Sequence, residues 1–228
     1  MSDYTVFPNA PITEAVIDIK AQLPEETDLK SLESFHDHIK NRFSEKQEQR
    51  FLKADFKLSQ KDKLSSLPTK TGTQGYFFRS HKEKKVVQSK IDGFAFNKLK
   101  PYENWELFRS EGRDLWELYS EIVNPIRVIR IGLRYINRIE VPLPFNDFSE
   151  YLLTNPQIAP NLPQAVSHFF MRLEVPNPDI EATAIITQTM DKPTTAQRLP
   201  LITLERQKTC GRISKNCVIL RMIFSLTA

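Results

Sequence analysis

Glu14 and Asp18 are the first residues whose types and spacing could do chemistry. They stand in the segment ITEAVIDIK, residues 12–20. In a strand, residues of one parity project to one face, so the two carboxylates share a side. Placed like this, they could form a charged catalytic or binding pair. The plainer reading is a solvent face, with Ala15 and Ile17 buried opposite. Arg130, Arg134 and Arg138 form the matching basic set. They share a parity in IRVIRIGLRYINRIEV, residues 126–141. Four-residue steps along a strand are roughly 13–14 Å. A ladder of guanidinium groups at that spacing could fork onto phosphate oxygens. It could equally pair with Glu14 and Asp18 across neighbouring strands, and the opposite charges favour that pairing.

Tyr135 and Asn137 lie on the other, apolar parity of the same segment. A buried amide needs partners, so Asn137 and Tyr135 read as polar groups that fix strand register rather than as catalysts. The four histidines, His36, His38, His81 and His168, show no metal-ligand spacing. His36 and His38 are two apart in a helical segment and do not face the same way. Cys210 and Cys217 lack a CxxC spacing and make no disulfide framework. No Walker loop, dinucleotide fingerprint or nucleophile elbow occurs. With six glycines in 228 residues, there is little room for a backbone phosphate cradle. The expectation is therefore no metal and no cofactor.

The elements that must position these residues read as follows. Strands are expected at 12–20, 51–58, 75–80, 84–90 and 94–99. A helix over roughly 28–47 would be capped by Thr27 or Asp28 and bury Leu32, Phe35, Ile39 and Phe43. A second helix over 103–122 would bury Trp105, Phe108, Leu115, Trp116, Tyr119 and Ile122, weakened at Gly112. Asn124-Pro125 should stop it. Residues 126–141 give the strongest strand signal, with Ile129, Ile131 and Leu133 on the apolar face. A short helix near 145–153 follows, then a proline-broken loop. Two strands at 164–175 and 180–190 would form a hairpin beside 126–141. Residues 60–71 should be a lysine-rich loop. The fold class is thus α+β: a mainly antiparallel sheet with two or three packed helices. It spans residues 1–200 as one domain, or as two similar subdomains, 1–100 and 101–200.

Charge sharpens that boundary. The formal net charge is +4 and the isoelectric point about 9.0, which taken alone suggests nucleic acid. Residues 201–228 hold five basic residues and one acidic residue, Glu205, so they carry the whole excess. Residues 1–200 are balanced. Hydrophobic residues at 40% and charged residues at 26% exclude wholesale disorder. No apolar run approaches bilayer length, and the N-terminus lacks the pattern of a signal peptide. No membrane partner and a cytoplasmic location are expected.

Certain segments carry a family resemblance. Tyr4 and the run Asn9-Ala10-Pro11-Ile12-Thr13-Glu14-Ala15-Val16 open the chain. Tyr76-Phe77-Phe78, Ile91 to Phe96, Trp116 and Tyr119, and Arg130 to Pro142 follow. Together they resemble an uncharacterised, sporadically distributed bacterial family defined by N-A-P-I-x-E-A-V near the start and R-Y-I-N-R-I near the middle. The likeness covers residues 4 to about 190. It implies a unit of fold and no assigned activity, cofactor or catalytic residue. The family's patchy distribution implies an accessory gene of a mobile or defence-linked locus. The sequence after Leu201 departs from the family's acidic strand and final helix. It reads as an atypical basic tail, truncated or frame-shifted, with exposed apolar surface at Val218 to Phe224.

The leading expectation is a non-catalytic binding or regulatory protein with a protein partner. It would use exposed aromatic patches near Trp105 and the 60–71 loop. The alternative is a nucleic-acid or phosphate binder combining the arginines with Lys82, Lys84, Lys85 and Lys90 in one basic stripe. The third is an enzyme of unfamiliar type, which requires Glu14, Asp18 and Arg134 in one pocket. The sequence does not set the oligomeric state.

Overall fold

A computed structural model describes residues 10–53, 70–142, 147–164, 166–190, 198–199 and 202–213. The strands are β1 (Ile12–Gln22), β2 (Glu45–Lys53), β3 (Lys70–Ser80), β4 (Lys85–Lys90), β5 (Gly93–Leu99), β6 (Arg127–Asn137), β7 (Val141–Pro142), β8 (Phe170–Asn177), β9 (Ala182–Thr189), β10 (Arg198–Leu199) and β11 (Ile202–Ile213). The helices are α1 (Leu29–Ile39) and α2 (Trp105–Val123). One nine-stranded sheet runs in the order β2-β3-β4-β5-β1-β6-β11-β9-β8. Every pairing in it is antiparallel. The α+β class holds, with a mainly antiparallel sheet and two packed helices. β1 pairs with both β5 and β6, so the sheet crosses residue 100 without a break.

The helices pack on one face only. α1 lies on β3 and β4, and α2 lies on β5 beside α1. Each has a side-chain cap: Asp28 accepts from the Ser31 N–H, and Asn104 from the Leu107 N–H. α2 ends at Asn124, which takes the left-handed conformation (φ 51°) that asparagine tolerates, and Pro125 forbids continuation. Between helices and sheet lie Phe35, Phe78, Phe94, Phe96 and Tyr119, none more than 2% exposed. Phe35 meets Tyr119 edge-on at 5.9 Å. Burial of each such ring contributes about 2–3 kcal/mol. Gly93 lets β5 approach β1: its φ is +142°, and a Cβ there would stand 2.0 Å from the Ile19 carbonyl oxygen.

Several expectations are corrected. The first helix stops at Ile39 rather than 47. Phe43 still reaches the core, but from a turn closed by its N–H on the Ile39 carbonyl (2.9 Å). β2 then begins at Glu45, ahead of the expected strand at 51. It is a sheet edge, and its charged run suits an edge better than a buried position. The helix expected near 145–153 is a single 3-10 turn, Phe148–Glu150. The hairpin of β8 and β9 forms, but β11 separates it from β6. Residues 202–213, set apart by composition, pair with β6 on one side and β9 on the other. Of the loop expected over 60–71, residues 70 and 71 instead open β3; its residues 60–69, the strand expected beyond residue 53 and the apolar run Val218 to Phe224 lie outside the described residues.

Candidate functional site

The site forms on the sheet face that the helices leave bare. Strict alternation on β1 sends Ala15, Ile17 and Ile19 to the core and Glu14, Val16, Asp18 and Lys20 to the other side. Register carries the same division across β6: Ile131, Leu133 and Tyr135 stand opposite Ile19, Ile17 and Ala15. Arg130, Gly132, Arg134 and Ile136 stand opposite Lys20, Asp18, Val16 and Glu14. On β5, Phe94 and Phe96 are buried, while Ala95 and Asn97 join the bare face beside Asp18 and Val16.

Two register shifts bracket this stretch. One extra residue, Thr13, lies between the pairs Ile12–Asn137 and Glu14–Ile136. Its hydroxyl donates to the Ile136 carbonyl at 3.0 Å. Ile12 and Glu14 share a parity, yet Ile12 packs on the core and Glu14 lines the bare face. The second extra residue is Ile129, between the pairs Lys20–Arg130 and Ala21–Val128. It reverses the expected parity there: Val128 is buried and Ile129 is 41% exposed. Bulges re-aim side chains in this way.

The result is a groove of about 340 Å³ lined in part by Glu14, Asp18, Lys90, Asn97, Arg130 and Arg134. Asp18 sits between two cations. Lys90 Nζ is 2.9 Å from its Oδ1, and Arg130 Nη2 donates to its Oδ2. All three side chains are less than a quarter exposed, so solvent and salt screen this cluster less than a surface pair. Asn97 Nδ2 donates to Glu14 Oε1 at 2.5 Å, and its own Oδ1 accepts from Gln88 Nε2 at 3.1 Å. Lys20 reaches Asp92 at 3.6 Å. Glu205 of β11 stands opposite Arg134 in register.

Four of the five charged residues singled out from sequence therefore meet in one groove: Glu14, Asp18, Arg130 and Arg134. The opposite-charge pairing of Asp18 with Arg130 is present. Arg138 is not part of the set. β6 ends at Asn137, and Arg138 lies past it, exposed, with Nε 4.0 Å from Glu140. The ladder has two rungs in the groove. The wider basic stripe is broken as well: Lys85 lies against Glu83 and Glu111, both at 2.8 Å, and Lys90 against Asp18. Trp105 is half-buried against Phe108 and forms no free patch. Tyr135 lies on the helix side, where its hydroxyl meets that of Tyr102 at 3.2 Å. Burial raises the pKa of both phenols. Asn137 is buried at the end of β6, paired with Ile12 at the first register shift.

Sequence reading did not single out Asn97, Gln88 or Lys20. Their signal is the alternation of FAFN, VVQSK and VIDIK, which becomes usable once the core parity of each strand is known. The histidines have local roles: His36 Nε2 is 2.7 Å from the Phe43 carbonyl, and His81 is 2.6 Å from Glu45. Among the described residues, no cluster of three His, Cys, Asp or Glu could hold a metal ion. No helix among them is long and apolar enough to cross a membrane. Comparison of the chain with models of protein families, with curated proteins and with solved structures gives no match.

Proposed function

We propose that the chain is a non-catalytic binding or regulatory protein that receives a partner polypeptide in the groove of the bare sheet face. The observation that carries this reading is the fixed mixture of charge in one concavity. Asp18 is held by Lys90 and Arg130, and Glu14 by Asn97. Carboxylates on the same floor as the guanidinium groups repel a polyanion. They suit a segment that carries charges of both signs, and such complementarity governs specificity and encounter rate. The reading places the protein in the cytoplasm, as an accessory component of a bacterial mobile or defence-linked locus.

The test is site-specific photocrosslinking in the native host. A crosslinker at Gln88, on the groove, should yield one discrete adduct. The same group at Leu107, on the outer surface of α2, should not. Arg134→Glu should abolish the adduct while leaving the circular dichroism spectrum unchanged. Identical adducts from both positions, or an adduct indifferent to Arg134→Glu, would defeat the reading.

A second reading, binding of nucleic acid or another phosphate, draws on the groove's balance of four basic residues to two acidic ones. It requires salt-dependent affinity for an RNA or DNA panel, strengthened by Asp18→Asn. Indifference to both salt and Asp18→Asn removes it. The enzyme reading retains one support, the meeting of Glu14, Asp18 and Arg134 in a single groove.

A further inference from the structure

β8 ends the sheet, so one of its sides has no partner strand among the described residues. It is also apolar where it is bare. Phe170 is 66% exposed and Val175 is 48% exposed, with Leu173 exposed between them. Exposed apolar edges of this kind template further strand pairing, and soluble proteins generally blunt them. This strand keeps three consecutive alternate apolar residues, Met171, Leu173 and Val175, on one face. That face continues the helix side of the sheet: Leu173 stands opposite Ile186, which stands opposite Leu204, which stands opposite Tyr135. α1 and α2 cover only the other end of the sheet.

The backbone determines which residues can accept a new strand. The Met190 N–H donates to the Phe169 carbonyl at 3.2 Å. Odd-numbered residues of β8 therefore turn their backbone groups inward to β9. Phe170, Arg172, Glu174 and Pro176 turn theirs outward. Pro176, which has no N–H, falls on the outer side, where an edge strand tolerates proline.

We propose that this edge docks a second copy of the chain, antiparallel, about a two-fold axis through Leu173. In an antiparallel pair, outward residues must face outward residues. An axis through Arg172 sets arginine on arginine, and an axis through Glu174 sets glutamate on glutamate. An axis through Leu173 sets Arg172 of each copy on Glu174 of the other. Arg172 and Glu174 already form an ion pair at 3.0 Å within one chain, so the two pairs merge into a closed ring of four charges. On the opposite face, Leu173 meets its own counterpart, and Met171 meets Val175. From Arg172 to Glu174 the strand is thus self-complementary in charge, in apolar surface and in backbone hydrogen-bonding groups, as an isologous interface requires; the ladder stops at Pro176, which has no N–H to give to Phe170 of the other copy.

Sedimentation velocity on the full chain should show a concentration-dependent dimer. Arg172→Glu and Glu174→Arg should each weaken it at least tenfold, since each places like charges opposite one another. Mixing the two variants in equal amounts should restore a dimer, because the mixed pair regains both attractions. The double variant should restore it as well. Both positions are exposed, so folding should be retained, and circular dichroism checks this. Leu173→Cys gives an independent readout. At the axis the residue forms a non-hydrogen-bonded pair, about 4.5 Å between Cα atoms, which a disulfide can span. Oxidation should link two L173C chains at that position, while Val175→Cys should not self-link. A monomer at all concentrations overturns the proposal. So does a dimer that ignores the single charge reversals, or variants whose mixture fails to re-form it.

Discussion

Gly112→Ala tests whether α2 is seated on β1 as closely as the structure requires. Gly112 is buried in the middle of α2. A Cβ there would lie 2.7 Å from Ile17 Cδ1 and 3.2 Å from Phe96 Cδ1. Ile17 is 1% exposed and Phe96 fully buried, so neither can swing into solvent. Helix propensity alone would stabilise the alanine variant by about 1 kcal/mol. Overpacking a filled core costs about 1–3 kcal/mol. The second effect wins, and the expected result is a loss of roughly 1 kcal/mol. Urea denaturation should show a lower midpoint at unchanged slope. Ile17→Val removes the clashing methyl and alone costs about 0.5–1.5 kcal/mol. In that background the new methyl fills the space, so Gly112→Ala should become neutral or stabilising. A coupling of about 1–2 kcal/mol between the two sites follows. Strict additivity would refute the reasoning, as would a Gly112→Ala variant about 1 kcal/mol more stable than the parent. Ile17 lies between Val16 and Asp18, so the clash should also disturb the groove.

Two further changes probe polar contacts between the helices and the sheet. Glu83 is hydrogen-bonded by Arg42 at 2.7 Å and by Lys85 at 2.8 Å. The Arg42 bond, opposed by burial, takes its carboxyl from 4.5 to about 2. The folded value is below the unfolded one, so this stabilisation is complete above about pH 4.5 and is lost as pH falls toward 2. Glu83→Gln should flatten that part of the acid-unfolding curve and cost about 1 kcal/mol at neutral pH after solvent screening; an unchanged acid profile would contradict the network. Tyr119→Phe removes the hydroxyl that donates to the Lys90 and Gly93 carbonyls, at 3.1 and 3.2 Å. It should lower stability by about 1 kcal/mol and increase amide exchange in the 90–93 turn, and unaltered exchange there would count against that role.

What sequence could reveal about the site depended on where strict alternation held. Between Glu14 and Lys20, and between Arg130 and Asn137, period two divides core from groove without error. The reading of Glu14, Asp18, Arg130 and Arg134 as neighbours rests on those two runs. Outside them the pattern breaks. A bulge is a property of two strands, and nothing in IRVIRIG marks Ile129 as the residue its partner skips. Arg138 reads as a third rung of the ladder for the same reason, because the end of β6 is set by its pairing with β1 and β11. β2 and β11 were hidden by composition. EKQEQR and TLERQKT lack an apolar face, so period two has nothing to register, and their place in the sheet is decided by backbone bonding.

One-sided coverage explains why the charged residues lie where they do. Among the described residues, the helices cover only part of one face of the sheet and leave its second face and its β8 end without a helix. On the bare face, opposite charges that reach one another diagonally across the strands compensate, as Asp18 does with Lys90 and Arg130. At the far end the compensation within one chain is incomplete. Arg172 and Glu174 neutralise each other, but nothing among the described residues covers Phe170, Leu173 and Val175. The same physical demand therefore has two outcomes in this fold. The centre of the sheet meets it with paired side chains that shape a groove. The β8 edge is uncovered among the described residues, and the self-complementary order of its side chains is what a second copy would meet.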